Sequence, residues 1–366
     1  MKILLTGDEA IARGAYEAGV YFASAYPGTP STEILENLAC YKEVYAEWAP
    51  NEKVALESVI GASIAGARSI ASMKHVGLNV AADPLFTFAY TGVNGGAVIV
   101  TADEPGMHSS QNEQDNRNYA KAAKLPMLEP ADSQECLDMT KLAFTISEQF
   151  DIPVLIRVTT RVCHAKSLTE CGERVELPIR DYVKQMGKYV CVPAVSRNLR
   201  VSLEQKLHKL AEYSETSPLN FALYHGTAMG VIVSSNCYYY AREVFGDSVS
   251  YLKLGMTNPL PNQLIRDFCQ RVDKIYIIEE NDPYLEDAVR MLGFDPIGKK
   301  LFPYSGEMTP EVIRQAMYQK TLPVIDYDSS KVVGRPPTLC AGCPHRGFFY
   351  EIGRRKNVMV CGDIGC

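Results

Sequence analysis

One carboxylate stands out for its surroundings. Glu57 lies in the run Lys53-Val54-Ala55-Leu56-Glu57-Ser58-Val59-Ile60-Gly61-Ala62-Ser63-Ile64-Ala65-Gly66-Ala67. At helical spacing Val54, Glu57, Gly61 and Ile64 share one stripe, which predicts a carboxyl among apolar neighbours; Arg68 rejoins the stripe at the helix end. The glycines and alanines let another element approach closely. A carboxyl held out of water keeps its proton more readily, which suits a proton donor or acceptor. The competing reading is an ordinary, partly exposed helix glutamate.

Two polar segments offer binding chemistry. Tyr26-Pro27-Gly28-Thr29-Pro30-Ser31-Thr32 reads as a loop between a strand and a helix, where α/β proteins bind ligands. Amides at a helix start favour an anion, and the Thr29 hydroxyl can donate to a carboxylate. A plain strand-to-helix turn uses the same residue types. Pro105 to Arg117 is dense in hydrogen-bonding side chains directly after a strand ending near Thr101, and Arg117 is suited to clamp a carboxylate bidentately. A solvated surface loop is the alternative there.

The last group is Cys340, Cys343, Cys361 and Cys366, spaced C-x2-C-x17-C-x4-C. Structural zinc, an iron–sulfur cluster, or a glycine-bearing loop (Gly362 to Gly365) approaching a pyrophosphate by its backbone all suit that pattern. Cys40, Cys136, Cys163, Cys171, Cys191, Cys237 and Cys269 stand singly and read as small core residues.

These residues need rigid elements to hold them. Strand-like and helical stretches alternate over the first 165 residues, the mark of a parallel α/β sheet flanked by helices. Asp8 is placed to cap a helix through Ala18, and Ser31 or Thr32 to cap the next, with Glu33 and Glu36 near its positive end. Strands are expected at Val20–Ala25, Ala97–Thr101 and Pro153–Val158, with a strong helix over Ser133–Phe150. Residues 166–214 read as a connector with some helix. A second α/β pattern spans 215–325, with strands near Leu219–Tyr224, Ser248–Leu252 and Lys274–Ile278. A linker over 326–338 leads to a third unit, 339–366, that has barely begun.

Bulk properties narrow the function classes. The chain has 366 residues, 46% hydrophobic and 22% charged, which excludes disordered, collagen-like and coiled-coil chains. A net charge of −6 gives no reason to expect a nucleic-acid or anionic-membrane partner. The N-terminus lacks the apolar run of a signal peptide. Pro84 to Ala102 is free of charge over nineteen residues, but its proline and glycines read as helix, loop and strand. A cytoplasmic protein is expected.

Taken in order, Ala10–Gly14, Tyr26–Thr32, Ala55–Ala65, Lys74–Asn79, His108–Arg117, Lys253–Thr257, Leu339–Arg346 and Gly362–Cys366 resemble the large (alpha) subunits of indolepyruvate:ferredoxin oxidoreductases. These belong to the thiamine-diphosphate-dependent 2-oxoacid:ferredoxin oxidoreductases. The resemblance covers nearly the whole chain. It implies a pyrimidine-binding domain over 1–165, a transketolase-C-like domain over 215–325, and a diphosphate-binding domain starting at 339. It makes Glu57 the partner of the cofactor's aminopyrimidine, promoting the tautomer that takes the proton from the thiazolium C2.

The resemblance further implies cofactor contacts at Tyr26, Pro27, Gly28, Asn79, Cys343, His345, Gly362, Asp363, Ile364 and Gly365. Thr29 and Arg117 would hold the substrate carboxylate. The implied reaction is oxidative decarboxylation of aryl 2-oxoacids, chiefly indolepyruvate, with coenzyme A and ferredoxin; the partner is a small beta subunit. Other 2-oxoacids are an alternative substrate class. A non-catalytic α/β protein with a C-terminal zinc module is a different-class alternative.

Departures from the family pattern shape the expectation for this chain. Ala341 replaces a usual proline. The magnesium motif is expected beyond Cys366, and the [4Fe–4S] cluster segment of the full-length subunit later still, so no metal ligand is assigned within these 366 residues. The chain is therefore expected to be a fragment, or half of a split subunit, and inactive alone.

Overall fold

The computed structural model describes residues 1–320, 325–334 and 338–362. Met1–Lys320 form one compact unit and Thr321–Cys366 a second. In the first unit the strands are β1 (Lys2–Leu5), β2 (Phe22–Ala25), β3 (Tyr45–Trp48), β4 (Ser69–Lys74), β5 (Ala97–Asp103), β6 (Met127–Leu128) and β7 (Val154–Thr159). They continue with β8 (Ser167–Glu170), β9 (Asn220–Leu223), β10 (Gly230–Ser234), β11 (Ser250–Leu254), β12 (Met256–Asn258) and β13 (Ile275–Ile278).

Seven strands make the larger sheet, in the order β12-β6-β7-β5-β4-β2-β3. All its pairs are parallel except the β12–β6 edge. Every residue of β5 and β7 is buried, as expected of central strands covered on both faces. The chain leaves β2 for β3 on one side and returns to β4 on the other. The strand order therefore reverses between β2 and β4, the crevice where open α/β sheets take ligands.

The helix Gly7–Glu17 is capped by Thr6 rather than Asp8. Thr6 Oγ1 accepts the Glu9 N–H at 3.1 Å while Glu9 Oε2 accepts the Thr6 N–H at 2.7 Å, a reciprocal capping box. This helix crosses Ser133–Phe150, which Asp132 caps by accepting from the Glu135 N–H. At the crossing a Cβ on Gly14 would stand 2.5 Å from the Leu137 carbonyl oxygen, so only glycine permits the approach.

The second α/β layer carries the sheet β13-β10-β11-β9, with β9 antiparallel. Sequence patterning suggests a separate domain, yet both layers fall in one compact unit. One reason is β12, which leaves the second layer to pair with β6 of the first sheet. The connector is also bound in: β8 pairs with the N-terminal β1, and a long helix runs over Pro193–Thr216.

In the second unit the described residues form a 3-10 turn at Ser329–Lys331 and a helix over His345–Gly353. Among all described residues no helix is long and apolar enough to cross a membrane. The charge-free stretch from Pro84 divides into the helix Ala82–Thr91, a turn and β5. Of the seven scattered cysteines five are buried, but Cys40 and Cys191 are exposed, which corrects their reading as core.

Candidate functional site

An open cleft of about 510 Å³ lies beyond the carboxyl ends of β2, β5 and β7. Thr29, Glu104, His108, Ser109, Arg161, His164 and Glu307 are among its lining residues. The loop Tyr26–Ser31 is fixed from inside: the Gly28 N–H donates to Thr32 Oγ1 at 2.9 Å, and Ser31 Oγ donates to the Gly28 carbonyl at 3.0 Å. Ser31 and Thr32 thus brace the loop rather than cap the helix Thr32–Leu38, whose N-cap makes no side-chain bond. Lys74, at the end of β4, packs against Gly28, where a Cβ would meet its Cδ at 3.0 Å. Tyr26, Pro27 and Thr29 remain exposed.

The polar segment after β5 divides in two. Its first part, around His108 and Ser109, faces the cleft. Buried Glu104 anchors it by accepting from the Ser109 N–H and Oγ at 3.0 and 3.1 Å. Its second part, Asp115-Asn116-Arg117, is buried. Asn116 Nδ2 donates to Thr101 Oγ1 at 2.6 Å, and His75 Nε2 lies 3.1 Å from the Asn112 carbonyl oxygen. Burial pushes the His75 pKa down, so its imidazole favours the neutral form.

Arg117 is 1% exposed. Its Nε donates to Asp115 Oδ1 at 2.8 Å, its Nη1 to Glu279 Oε2 at 2.7 Å, and its Nη2 to Asp115 and the Glu280 carbonyl oxygen. The guanidinium also lies 5.0 Å from the Tyr284 ring centroid. Burial alone would lower its pKa, but the Asp115 and Glu279 charges hold it well above the usual value. This corrects the expectation of a substrate clamp: the charge is already paired and the group is closed to solvent. Arg161 is the guanidinium in the cleft, bound at 2.8 and 2.7 Å by both oxygens of Glu307.

Glu57 is exposed on the helix Glu52–Ile64 and does not line the cleft. The stripe expected to be enclosed is mostly an open face: Val54, Glu57 and Gly61 are exposed and Ile64 is half-buried. A Cβ on Gly61 would meet nothing within 4 Å. The reason is rotational. The helix buries Glu52, Ala55, Leu56, Val59 and Ser63 instead, so the apolar residues of its opposite side are left without cover. Glu52 is the partly desolvated acid here; burial pushes its pKa up. Exposed Asn79 lies on the helix His75–Val80 and accepts from the Tyr119 hydroxyl at 2.7 Å.

In the second unit Cys343 is half-buried and His345 opens the helix His345–Gly353. Gly362 is exposed, while Asp363, Ile364 and Gly365 lie outside the described residues. Sequence reasoning passed over several buried charges of the first unit: Asp103, Glu129, Arg157, Glu279 and Glu280. Arg157 Nε donates to Asp103 Oδ2 at 2.6 Å and its Nη1 to Glu129 Oε2 at 2.8 Å. A lone arginine inside the apolar run Val154 to Val158 was the available signal.

The family pyruvate flavodoxin/ferredoxin oxidoreductase, thiamine diP-bdg, matches residues 13–189. Indolepyruvate oxidoreductase subunit IorA of Archaeoglobus fulgidus is 41% identical over all of this chain and 63% of its own length. The IorA subunit of Methanothermobacter thermautotrophicus is 40% identical over all of this chain and 64% of its own. The chain thus spans a little under two thirds of the curated relatives it matches. A solved 2-oxoglutarate:ferredoxin oxidoreductase from Magnetococcus marinus superposes with a TM-score of 0.74 at 18% identity, covering 87% of this chain and 65% of that one. The shared fold is the thiamine-diphosphate-binding type.

Proposed function

Residues 13–189 belong to the thiamine-diphosphate-binding family of pyruvate flavodoxin/ferredoxin oxidoreductases and the whole chain aligns with IorA subunits, and from that premise we propose that it is part of a 2-oxoacid:ferredoxin oxidoreductase acting on indolepyruvate. The observation that carries this reading is the alignment of the whole chain with IorA subunits at 41% and 40% identity; Glu57, exposed on its helix, is the carboxylate that the reading assigns to the cofactor. Gly61 leaves open space beside that carboxylate, and the cofactor's flat pyrimidine would lie there. When bound, thiamine diphosphate supplies the electron sink for loss of carbon dioxide. Glu57 would hold a shared proton at the ring's edge, and closure of the face by another chain or domain would dehydrate that hydrogen bond and strengthen it.

In the first unit Tyr26, Pro27, Gly28 and Asn79 are the proposed cofactor contacts; the second unit, taken by itself, carries the further candidates Cys343, His345 and Gly362 to Gly365. Thr29 would donate to the substrate carboxylate in the cleft, and Arg161, released from Glu307, is the cation within the same lining. Coenzyme A, ferredoxin, a small beta subunit, magnesium and [4Fe–4S] clusters belong to the same reading of the assembled, cytoplasmic enzyme.

In the assembled complex Glu57→Gln should abolish substrate-dependent ferredoxin reduction without altering the melting temperature. Turnover close to that of the unsubstituted enzyme would sink the assignment. Rates on indolepyruvate, phenylpyruvate and pyruvate then test the substrate: a preference for pyruvate replaces the aryl reading with the broader one.

A further inference from the structure

At the edge of the cleft, three elements bring a carboxylate, a second carboxylate and an imidazole together. Asp8 stands in the first turn of Gly7–Glu17, Glu33 in the first turn of Thr32–Leu38, and His164 at the end of Thr160–His164. One ligand atom from each lies within 4.8 Å of the others. Acidic residues are common in first turns because the helix dipole favours them there. That accounts for neither the imidazole nor the state of Asp8.

Asp8 is fully buried, and neither of its oxygens has a hydrogen-bond partner. Thr6 has taken the capping role, so the carboxylate is free of the backbone amides. Beside it lie the Cys163 thiol, a weak donor, and the Glu33 carboxyl, which carries the same charge. Glu33 Oε2 is likewise shielded from water and unpartnered, and it lies 3.9 Å from His164 Nε2, beyond hydrogen-bond length. A buried carboxylate without donors is costly unless something positive neutralises it.

We propose that Asp8, Glu33 and His164 form a binding site for one divalent first-row transition-metal ion. Two carboxylate oxygens and an imidazole nitrogen are donors that zinc and manganese accept. The two carboxylates balance a double positive charge. With bonds of ~2.0–2.2 Å, donors around a tetrahedral ion stand ~3.4 Å apart, so the most distant pair must draw together by roughly 1–1.5 Å. Glu33 and His164, both partly exposed, have the freedom to do so. An open side toward the cleft, where His164 is a lining residue, leaves room for water on the ion. Such an ion would tie the segment after β7 to the helix that follows the Thr29 loop.

The test uses the 366-residue chain without thiamine diphosphate, so that no diphosphate can recruit the ion. Bound Mn²⁺ is counted by equilibrium dialysis and electron paramagnetic resonance, and bound Zn²⁺ by elemental analysis. One ion per chain is expected, bound roughly tenfold or more weakly in His164→Ala and in Asp8→Asn. Nitrogen coupling to the bound Mn²⁺ should vanish in His164→Ala, a surface change that leaves the fold intact. Equal binding by wild type and His164→Ala would place the ion elsewhere, for instance on Cys340, Cys343 and Cys361, and overturn the proposal. No bound ion would overturn it as well; a rise in melting temperature in Asp8→Asn would then identify a proton as what neutralises the pair.

Discussion

Arg117 illustrates how burial decides what a charged side chain can do. Its guanidinium neutralises Asp115 and Glu279 and makes further bonds to main-chain carbonyls near Glu280 and Asp282. Arg117→Met would leave Glu279 buried without its ion-pair partner and Asp115 with only Arg157 at 3.9 Å, and removing one partner of a buried pair costs about 3–5 kcal/mol. Urea unfolding of the variant should show a loss of that size. A raised KM with unchanged stability would instead return Arg117 to the substrate. The residue type was legible in the sequence and its partners were not, because Glu279 lies 162 positions away. Glu57 has the complementary history: its stripe was read correctly as apolar and small, but which side of the helix faces the core depends on the neighbouring strands. Thr29 was placed by local turn chemistry alone and does line a cleft.

Elements were easier to read than side-chain environments, for a physical reason. Ser133–Phe150 has a capping aspartate, a continuous helical period and no breaker, so local terms suffice and its bounds match the expectation. β12 is three residues long and pairs with β6 from another layer, which no local pattern encodes. Helix crossings fall between these cases. Gly14→Ala gains ~1 kcal/mol in helix propensity. Against this, the new Cβ would stand 2.5 Å from the Leu137 carbonyl oxygen and 3.1 Å from its Cα. Backbone yields less readily than a side-chain tip, so the overpacking cost, about 1–3 kcal/mol, falls toward its upper end. The variant should be less stable by about 1–2 kcal/mol. A melting temperature equal to or above that of the wild type would show that the two helices separate freely.

At the scale of the whole molecule, the junction of the two α/β layers holds more buried negative charge than positive. Asp103, Asp115, Glu129, Glu279 and Glu280 are buried there, and the buried cations beside them among the described residues are Arg117, Arg157 and Lys299. Protons must make up part of the difference. Burial pushes Asp103 up to about 6 and Glu280 up to about 7, against the pull of the arginines. The unfolded chain releases the Glu280 proton near 4.5, so between the two values the folded state carries the extra proton. Stability from this group therefore falls as pH rises across that window, and the fall is complete by roughly pH 8. Asp103 adds a slope of the same sign in the lower part of the range. His75, pushed down by burial, contributes the opposite slope below its ordinary 6.5, because there the unfolded chain binds more protons. Comparing wild type with Glu280→Gln removes what the two share. Glutamine keeps an acceptor for the Met308 N–H, which Glu280 Oε1 accepts at 3.0 Å. Urea midpoints should coincide at about pH 3, where Glu280 is largely protonated in both states, and diverge as pH rises. At pH 8 the variant should be the more stable, by on the order of 3 kcal/mol. Parallel curves would mean that Glu280 ionises freely and that the junction admits water, and the two layers would then be joined by β12 and the arginines without a buried proton.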